Sequence, residues 1–273
     1  MRIFISADIE GVAGVVSPQQ GQPGNPEYER ARRLMTHEVN AAIAGAFDGG
    51  ATAVLVNDSH GPMTNLLPDE LDPRAECILG RPKPGFMAAG LDAGFAAVFM
   101  TGYHSGAGRH GVLSHTVSGL AFLSLRVNGI DCAEATLYGA YAGAMGIPVA
   151  LLTGDDQLET QCAPLFPGAS WAVVKHALGH RAARALSPQV ARERIRAAAA
   201  NAVRGLSGCT PYVIPGPYRL EADLATVAMA DLCATIPVAT RIAPRGVAFD
   251  AASMRQVIDW IAVMSHLCST LRQ

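Results

Sequence analysis

The feature that most constrains this chain is an alternation of short, unbroken apolar runs with stretches of helical spacing. Residues 2–7 (RIFISA), 53–56 (AVLV), 96–101 (AAVFMT), 149–153 (VALLT) and 171–175 (WAVVK) read as strands buried on both faces. Between the first two, Asn25, Pro26 and Glu27 make a helix start. Tyr28, Ala31, Leu34, Met35, Ala42, Ile43 and Ala46 then recur at helical spacing, and Gly49-Gly50 end the pattern. A small-residue helix is predicted over residues 134–145, closed by Gly146 and Pro148. Such alternation predicts an α/β fold: a mostly parallel sheet with flanking helices. Beyond residue 186 the pattern changes. Ser187-Pro188 open a long Ala/Arg helix ending at Gly205, and residues 208–217 form a Pro/Gly-rich crossing loop. Leu220, Ala222 and Leu224 alternate like a half-buried strand, and residues 250–271 read as a terminal helix. The expected organisation is an α/β domain at 1–186 and a smaller C-terminal α+β domain at 187–273.

Composition narrows the function classes. Half of the 273 residues are hydrophobic, 16% are charged and the net charge is −2, so neither disorder nor an electrostatic attraction to nucleic acid or an anionic membrane is expected. The six cysteines are scattered without a CxxC pair, which fits reduced thiols and excludes a cysteine zinc site. The first apolar run is interrupted at once by Asp8 and Glu10, so no leader is expected, and a cytoplasmic location follows.

The chemistry is positional. The first strand is followed by Asp8-Ile9-Glu10-Gly11, the second by Asn57-Asp58-Ser59-His60-Gly61 and the third by Gly102-Tyr103-His104-Ser105-Gly106. In open parallel sheets ligands bind outside the carboxyl ends of strands. Two carboxylates and two imidazoles delivered there suit zinc or a similar divalent ion. His115, in a run read as a strand at 112–117, and Glu134, at the start of the small-residue helix, are further candidates. Each also has an ordinary reading: a strand histidine bonded to nearby backbone, and an acid stabilised by the helix dipole.

Other patterns carry less. His37-Glu38 begins like HExxH but lacks the second histidine and reads as helix surface. Residues 106–111 match GxGxxG without a following helix. Gly154-Asp155-Asp156 reads as the cap of a helix over residues 157–162, and His110, His176, His180 and His266 read as structural.

Taken together, residues 8–11, 28–36 (YERARRLMT), 55–61 (LVNDSHG), 80–84 (GRPKP), 102–104 (GYH), 114–116 (SHT) and 154–156 (GDD) resemble the DppA-type D-aminopeptidases. These are dipeptide-transport-associated, self-compartmentalising zinc peptidases. The resemblance implies a metallo-aminopeptidase with two zinc ions per subunit. Asp8 would bridge them, Glu10, His60, His104 and Glu134 would complete the ligands, and His115 would be the catalytic residue. It also implies a homodecamer with sites facing an inner chamber, acting on short peptides or amino-acid amides. A preference for D-residues is not carried over, since the loop at 105–109 departs from the family pattern. Two rivals remain at this point: a magnesium-dependent phosphohydrolase of the haloacid-dehalogenase type, suggested by the Asp-x-acid turn and Gly154-Asp155-Asp156, and a non-catalytic peptide-binding protein.

Overall fold

The protein is described by a computed structural model covering residues 1–271. The seven-stranded sheet contains β1 (Arg2–Ala7), β2 (Ala53–Asp58), β3 (Ala75–Ile78), β4 (Ala97–Tyr103), β7 (Val149–Asp155), β8 (Ser170–Gly179) and β9 (Ala182–Ala185). Its order is β3-β2-β1-β4-β7-β8-β9, parallel except for the β8–β9 hairpin. The α/β architecture with a mostly parallel sheet is therefore as the apolar runs predict. A second, antiparallel sheet has the order β11-β12-β10-β5-β6. Its strands are β5 (Phe122–Val127), β6 (Ile130–Asp131), β10 (Tyr218–Leu224), β11 (Thr240–Arg241) and β12 (Gly246–Ala251).

Helices form where caps and apolar faces agree. In α1 (Pro26–Asp48) the Asn25 side chain accepts from the Glu27 N–H, and Tyr28, Ala31, Met35, Val39, Ala42, Ile43 and Ala46 are buried. Helix α4 (Pro188–Arg204) packs against α1, with Ala199 beside Gly45, where a side chain larger than hydrogen would collide with the Arg196 carbonyl. Helix α2 (Glu134–Gly143) is buried on every side and touches β4, β7 and α6 (Met254–Ser269), so it bridges the two sheets. Asp155 caps α3 (Asp156–Cys162) by accepting from Leu158 N–H, and α5 (Val227–Cys233) packs on α6.

Three elements cross the division expected at residue 187. Helix α4 packs on the parallel-sheet layer, while β5 and β6 leave that layer and pair with β10. The terminal helix starts at Met254, later than the expected 250, because Asp250 and Ala251 extend β12. The six cysteines are all free thiols, and no helix among the described residues is long and apolar enough to cross a membrane.

Strand order places the chemistry. The chain leaves the edge strand β3 and returns to pair β4 against the other side of β1, which makes the β1/β4 crevice a topological switch point. Register carries Ala7 opposite both Asp58 and Thr101, so the turns after β1, β2 and β4 emerge side by side. Close approach of two backbones makes this possible: Gly11 N–H donates to the Gly102 carbonyl at 2.7 Å, and a Cβ on Gly11 would overlap the Tyr103 carbonyl. Gly102 also has φ +69°, a left-handed conformation suited to glycine. Gly11→Ala is expected to cost about 1–3 kcal/mol of stability, since fixed backbone must move. The check is the denaturant midpoint of the variant against the parent.

Candidate active site

Asp8 and Glu10 leave β1, His60 follows β2, His104 follows β4, and Glu134 is the first residue of α2. His115 comes from the long loop between β4 and β5. The six side chains converge. His60 Nδ1 lies 3.2 Å from Asp8 Oδ1 and 2.9 Å from Glu10 Oε2. His104 Nε2 lies 3.4 Å from Asp8 Oδ2 and 3.4 Å from Glu134 Oε2. His115 Nε2 stands further off, 3.9 Å from Glu10 Oε1 and 3.7 Å from Glu134 Oε1, with its ring stacked on His104 at 4.3 Å. Three trios have donor atoms close enough to share an ion: Asp8/Glu10/His60, Asp8/His104/Glu134 and Glu10/His104/His115.

The histidine tautomers are set from behind. His60 Nε2–H donates to the Gly21 carbonyl at 2.8 Å, His104 Nδ1–H to Ser105 at 3.0 Å and His115 Nδ1–H to Leu113 at 2.8 Å. A carbonyl only accepts, so these nitrogens carry the proton and the opposite nitrogen faces the carboxylates. A neutral ring would therefore aim a lone pair at a carboxylate oxygen, which is repulsive without a cation or a proton between them. The buried His104 Nε2 and Glu134 Oε2 also have no hydrogen-bond partner among the described residues. Burial pulls both His60 and His104 down, but Glu10 and Asp8 around the first, and Glu134 and Asp8 around the second, hold the imidazoles well above their usual range. Burial would raise Asp8, yet the imidazoles of His104 and His60 set against its two oxygens hold it well below the usual carboxylate range.

The frame around the cluster is polar. Asp58, beside His60 in sequence, takes no part in the cluster. Its carboxylate accepts from Asn65 N–H and Leu66 N–H at 2.6 and 2.8 Å and so folds the loop after His60. Asn65 Nδ2 donates to the His60 carbonyl at 2.6 Å, and Tyr28 OH donates to Asn65 Oδ1 at 2.8 Å.

Lys175 on β8 is fully buried and donates to the carbonyls of Glu10, Val12 at 3.1 Å and Val15 at 2.6 Å. Burial pulls its ammonium down to about 8. Three carbonyls matched to three ammonium donors brace the loop that carries Glu10. Lys175→Met is expected to destabilise the fold by about 3 kcal/mol, by leaving those carbonyls unpaired. The melting temperature should fall by about 6–12 °C, which thermal unfolding measures directly.

Several sequence readings need correction. His115 does not lie in a strand. Residues 112–117 form an irregular loop in which Leu113 and Val117 have φ +53° and +62°. Left-handed backbone at a β-branched residue is strained, and here it turns Val117 N–H onto Glu134 Oε1 at 2.6 Å. Glu38 is not helix surface: it is buried, accepts from Ala13 N–H at 2.9 Å, and burial pushes its carboxyl up to about 7. His37 pairs with Glu70, His176 with Asp156, and His266 bonds to Ala262, all away from the cluster. His180, read as structural, instead lines the cleft above the cluster.

That cleft has a volume of about 810 Å³ and reaches from the parallel-sheet turns to Ser265 of α6. Asp8, Glu10, His60, His115 and Glu134 line it. The side chain of His104 is 1% exposed and that of His115 22%, so His104 is sealed beneath the cluster while His115 meets whatever enters. Sequence reasoning missed Arg81, His180 and Arg181 on its walls. The turn Gly179-His180-Arg181 between two runs of strand character was the available signal for the last two.

The family model described as D-aminopeptidase matches residues 1–263. The chain belongs to the D-aminopeptidase family. A D-aminopeptidase of Bacillus subtilis is 32% identical over 268 residues, 98% of this chain and 97% of that protein. A solved structure, the Zn-dependent D-aminopeptidase DppA from Bacillus subtilis, a self-compartmentalizing protease, superimposes with a TM-score of 0.96 at 31% identity, covering 100% of both chains. As a member of the D-aminopeptidase family the protein is a metallo-aminopeptidase, a hydrolase. The phosphohydrolase and non-catalytic alternatives fall with that membership. Asp155, moreover, is spent on capping α3 and on Val112 N–H at 2.7 Å.

Proposed function

We propose that the protein removes N-terminal residues, D-residues among them, from short peptides or amino-acid amides at a two-zinc site. The observation that carries this reading is Asp8. Its two carboxylate oxygens face different histidines, Oδ1 toward His60 and Oδ2 toward His104, as a bridge between two ions requires. Glu10 and His60 would complete one ligand set, His104 and Glu134 the other. Carboxylate and imidazole donors suit zinc, and the orphaned His104 Nε2 and Glu134 Oε2 are the polar atoms such an ion would satisfy. The structural relative is itself Zn-dependent. Zinc bound there supplies Lewis acidity for the scissile carbonyl and lowers the pKa of a water.

The chain's own residues do the rest. His115 lies outside the tighter contacts and is the most exposed of the three histidines. With Nδ1–H tied to Leu113, its Nε2 accepts a proton from the nucleophile and returns it to the leaving amine. The acids at the floor of the cleft are nearly buried, with side-chain exposures of 3% for Asp8 and Glu134 and 11% for Glu10. That relative is also a self-compartmentalizing protease, which supports a homo-oligomer here; the decamer is the assembly that the sequence resemblance implies. A cytoplasmic location fits the six free thiols.

The test is hydrolysis of a panel of D- and L-aminoacyl dipeptides and amides by enzyme of known zinc content. Release of the N-terminal residue only by zinc-loaded protein is expected, with D-residues preferred. Turnover by zinc-free protein, or preference for internal bonds, would contradict the reading.

A further inference from the structure

The catalytic floor of the cleft is anionic, and its walls are not. Asp8, Glu10 and Glu134 are the acids among the lining residues, and all three belong to the cluster. Away from them the walls present Arg81, Arg181 and His180 among neutral side chains such as Gln19, Gln22 and Ser265. Most exposed arginines of this protein pair with an acid, as Arg33 does with Glu70 and Arg196 with Asp48. Arg81 and Arg181 line the cleft and make no ion pair or side-chain hydrogen bond among the described residues.

Each arginine sits on a segment fastened to the site. Arg181 follows His180, whose carbonyl accepts from Leu113 N–H at 2.9 Å, and Leu113 is the residue that orients the His115 ring. Arg81 lies between Gly80, whose N–H donates to Met63, and Lys83, whose ammonium donates to the Asp58 carbonyl at 2.6 Å. Asp58 and Met63 flank the turn that carries His60. Unpaired guanidinium groups on such anchored loops suit a carboxylate, which they can hold through two parallel N–H donors.

Size agrees. A sphere of the cleft's volume is roughly 11–12 Å across, and an extended chain spans about 3.3–3.6 Å per residue, so two or three residues reach from floor to mouth. Resting on the aminopeptidase reading, we propose that Arg81 and Arg181 form a subsite for the C-terminal carboxylate of di- and tripeptides. They would then be specificity-determining residues that favour free peptides over amides and longer chains.

The experiment compares kcat/KM of zinc-loaded, full-length enzyme on three substrates with the same accepted N-terminal residue: X-Ala, X-Ala-amide and X-Glu-amide. The parent should prefer X-Ala over its amide by tenfold or more, through KM, and X-Glu-amide should gain nothing over X-Ala-amide. In the Arg81→Ala/Arg181→Ala double variant the acid-to-amide ratio should fall to within twofold. The amide serves as the internal control for general damage. Equal rates on acid and amide in the parent, or a ratio that survives in the double variant, would overturn the subsite. A gain for X-Glu-amide matching that of X-Ala would assign the arginines to a side chain instead and overturn the C-terminal assignment. Hydrolysis of none of the three would overturn the aminopeptidase reading itself.

Discussion

Asp8→Ala is expected to lose at least one zinc ion per chain and to lower kcat/KM by about 10³ or more, the scale of several kcal/mol of charge stabilisation. The reason is geometric. Asp8 is the one residue shared by the Glu10/His60 and His104/Glu134 trios, and each of its oxygens faces a different imidazole. Without it, neither trio keeps three donors. The carboxylate is also buried at 3% exposure between two imidazoles that its charge helps to keep protonated when no metal competes. Its loss therefore alters proton binding as well as metal binding. Elemental analysis of the purified variant is the check, and full zinc occupancy would remove Asp8 from the ligand set.

The second large effect concerns His115. His115→Ala should keep both zinc ions and lose activity by about 10²–10⁴, the usual worth of a positioned general acid–base. Its Nε2 is 3.7–3.9 Å from the nearest carboxylates, against 2.9–3.4 Å for the nitrogens of His60 and His104. Its ring is also the most open to the cleft. Metal content and turnover should therefore separate in this variant. Loss of zinc along with activity would make His115 a ligand, through its trio with Glu10 and His104.

How much of this could be read in the sequence depended on how local each signal was. Asp8, Glu10, His60 and His104 were legible because each follows an uninterrupted apolar run, and parallel strands that pair in register bring such turns together. Asn25, and a cap within Gly154-Asp155-Asp156, were legible from nearest neighbours alone, though the helix begins at Asp156, one residue before the expected 157. Residues 112–117 (VLSHTV) read as a strand because they follow a Gly-rich loop. The left-handed φ of Leu113 and Val117 that breaks the strand goes with long-range bonds, Leu113 N–H to the His180 carbonyl and Val117 N–H to Glu134 Oε1, which no local pattern reports. The same holds for Lys175, whose partners lie 160 or more positions away, and for Glu38, whose bond to Ala13 converts a presumed surface acid into a brace. Helix α4 and strand β5 changed layers for a similar reason. Small residues on α4 fit against Gly45 of α1, and β5 finds its partner in β10, nearly a hundred residues later.

The central claim is that three neighbouring strand ends hold a pair of ions around Asp8. Anomalous diffraction at the zinc edge from crystals of the zinc-loaded protein tests it most directly. Two peaks per chain are expected, one among Asp8, Glu10 and His60 and the other among Asp8, His104 and Glu134. A single peak, or peaks away from Asp8, would contradict the account.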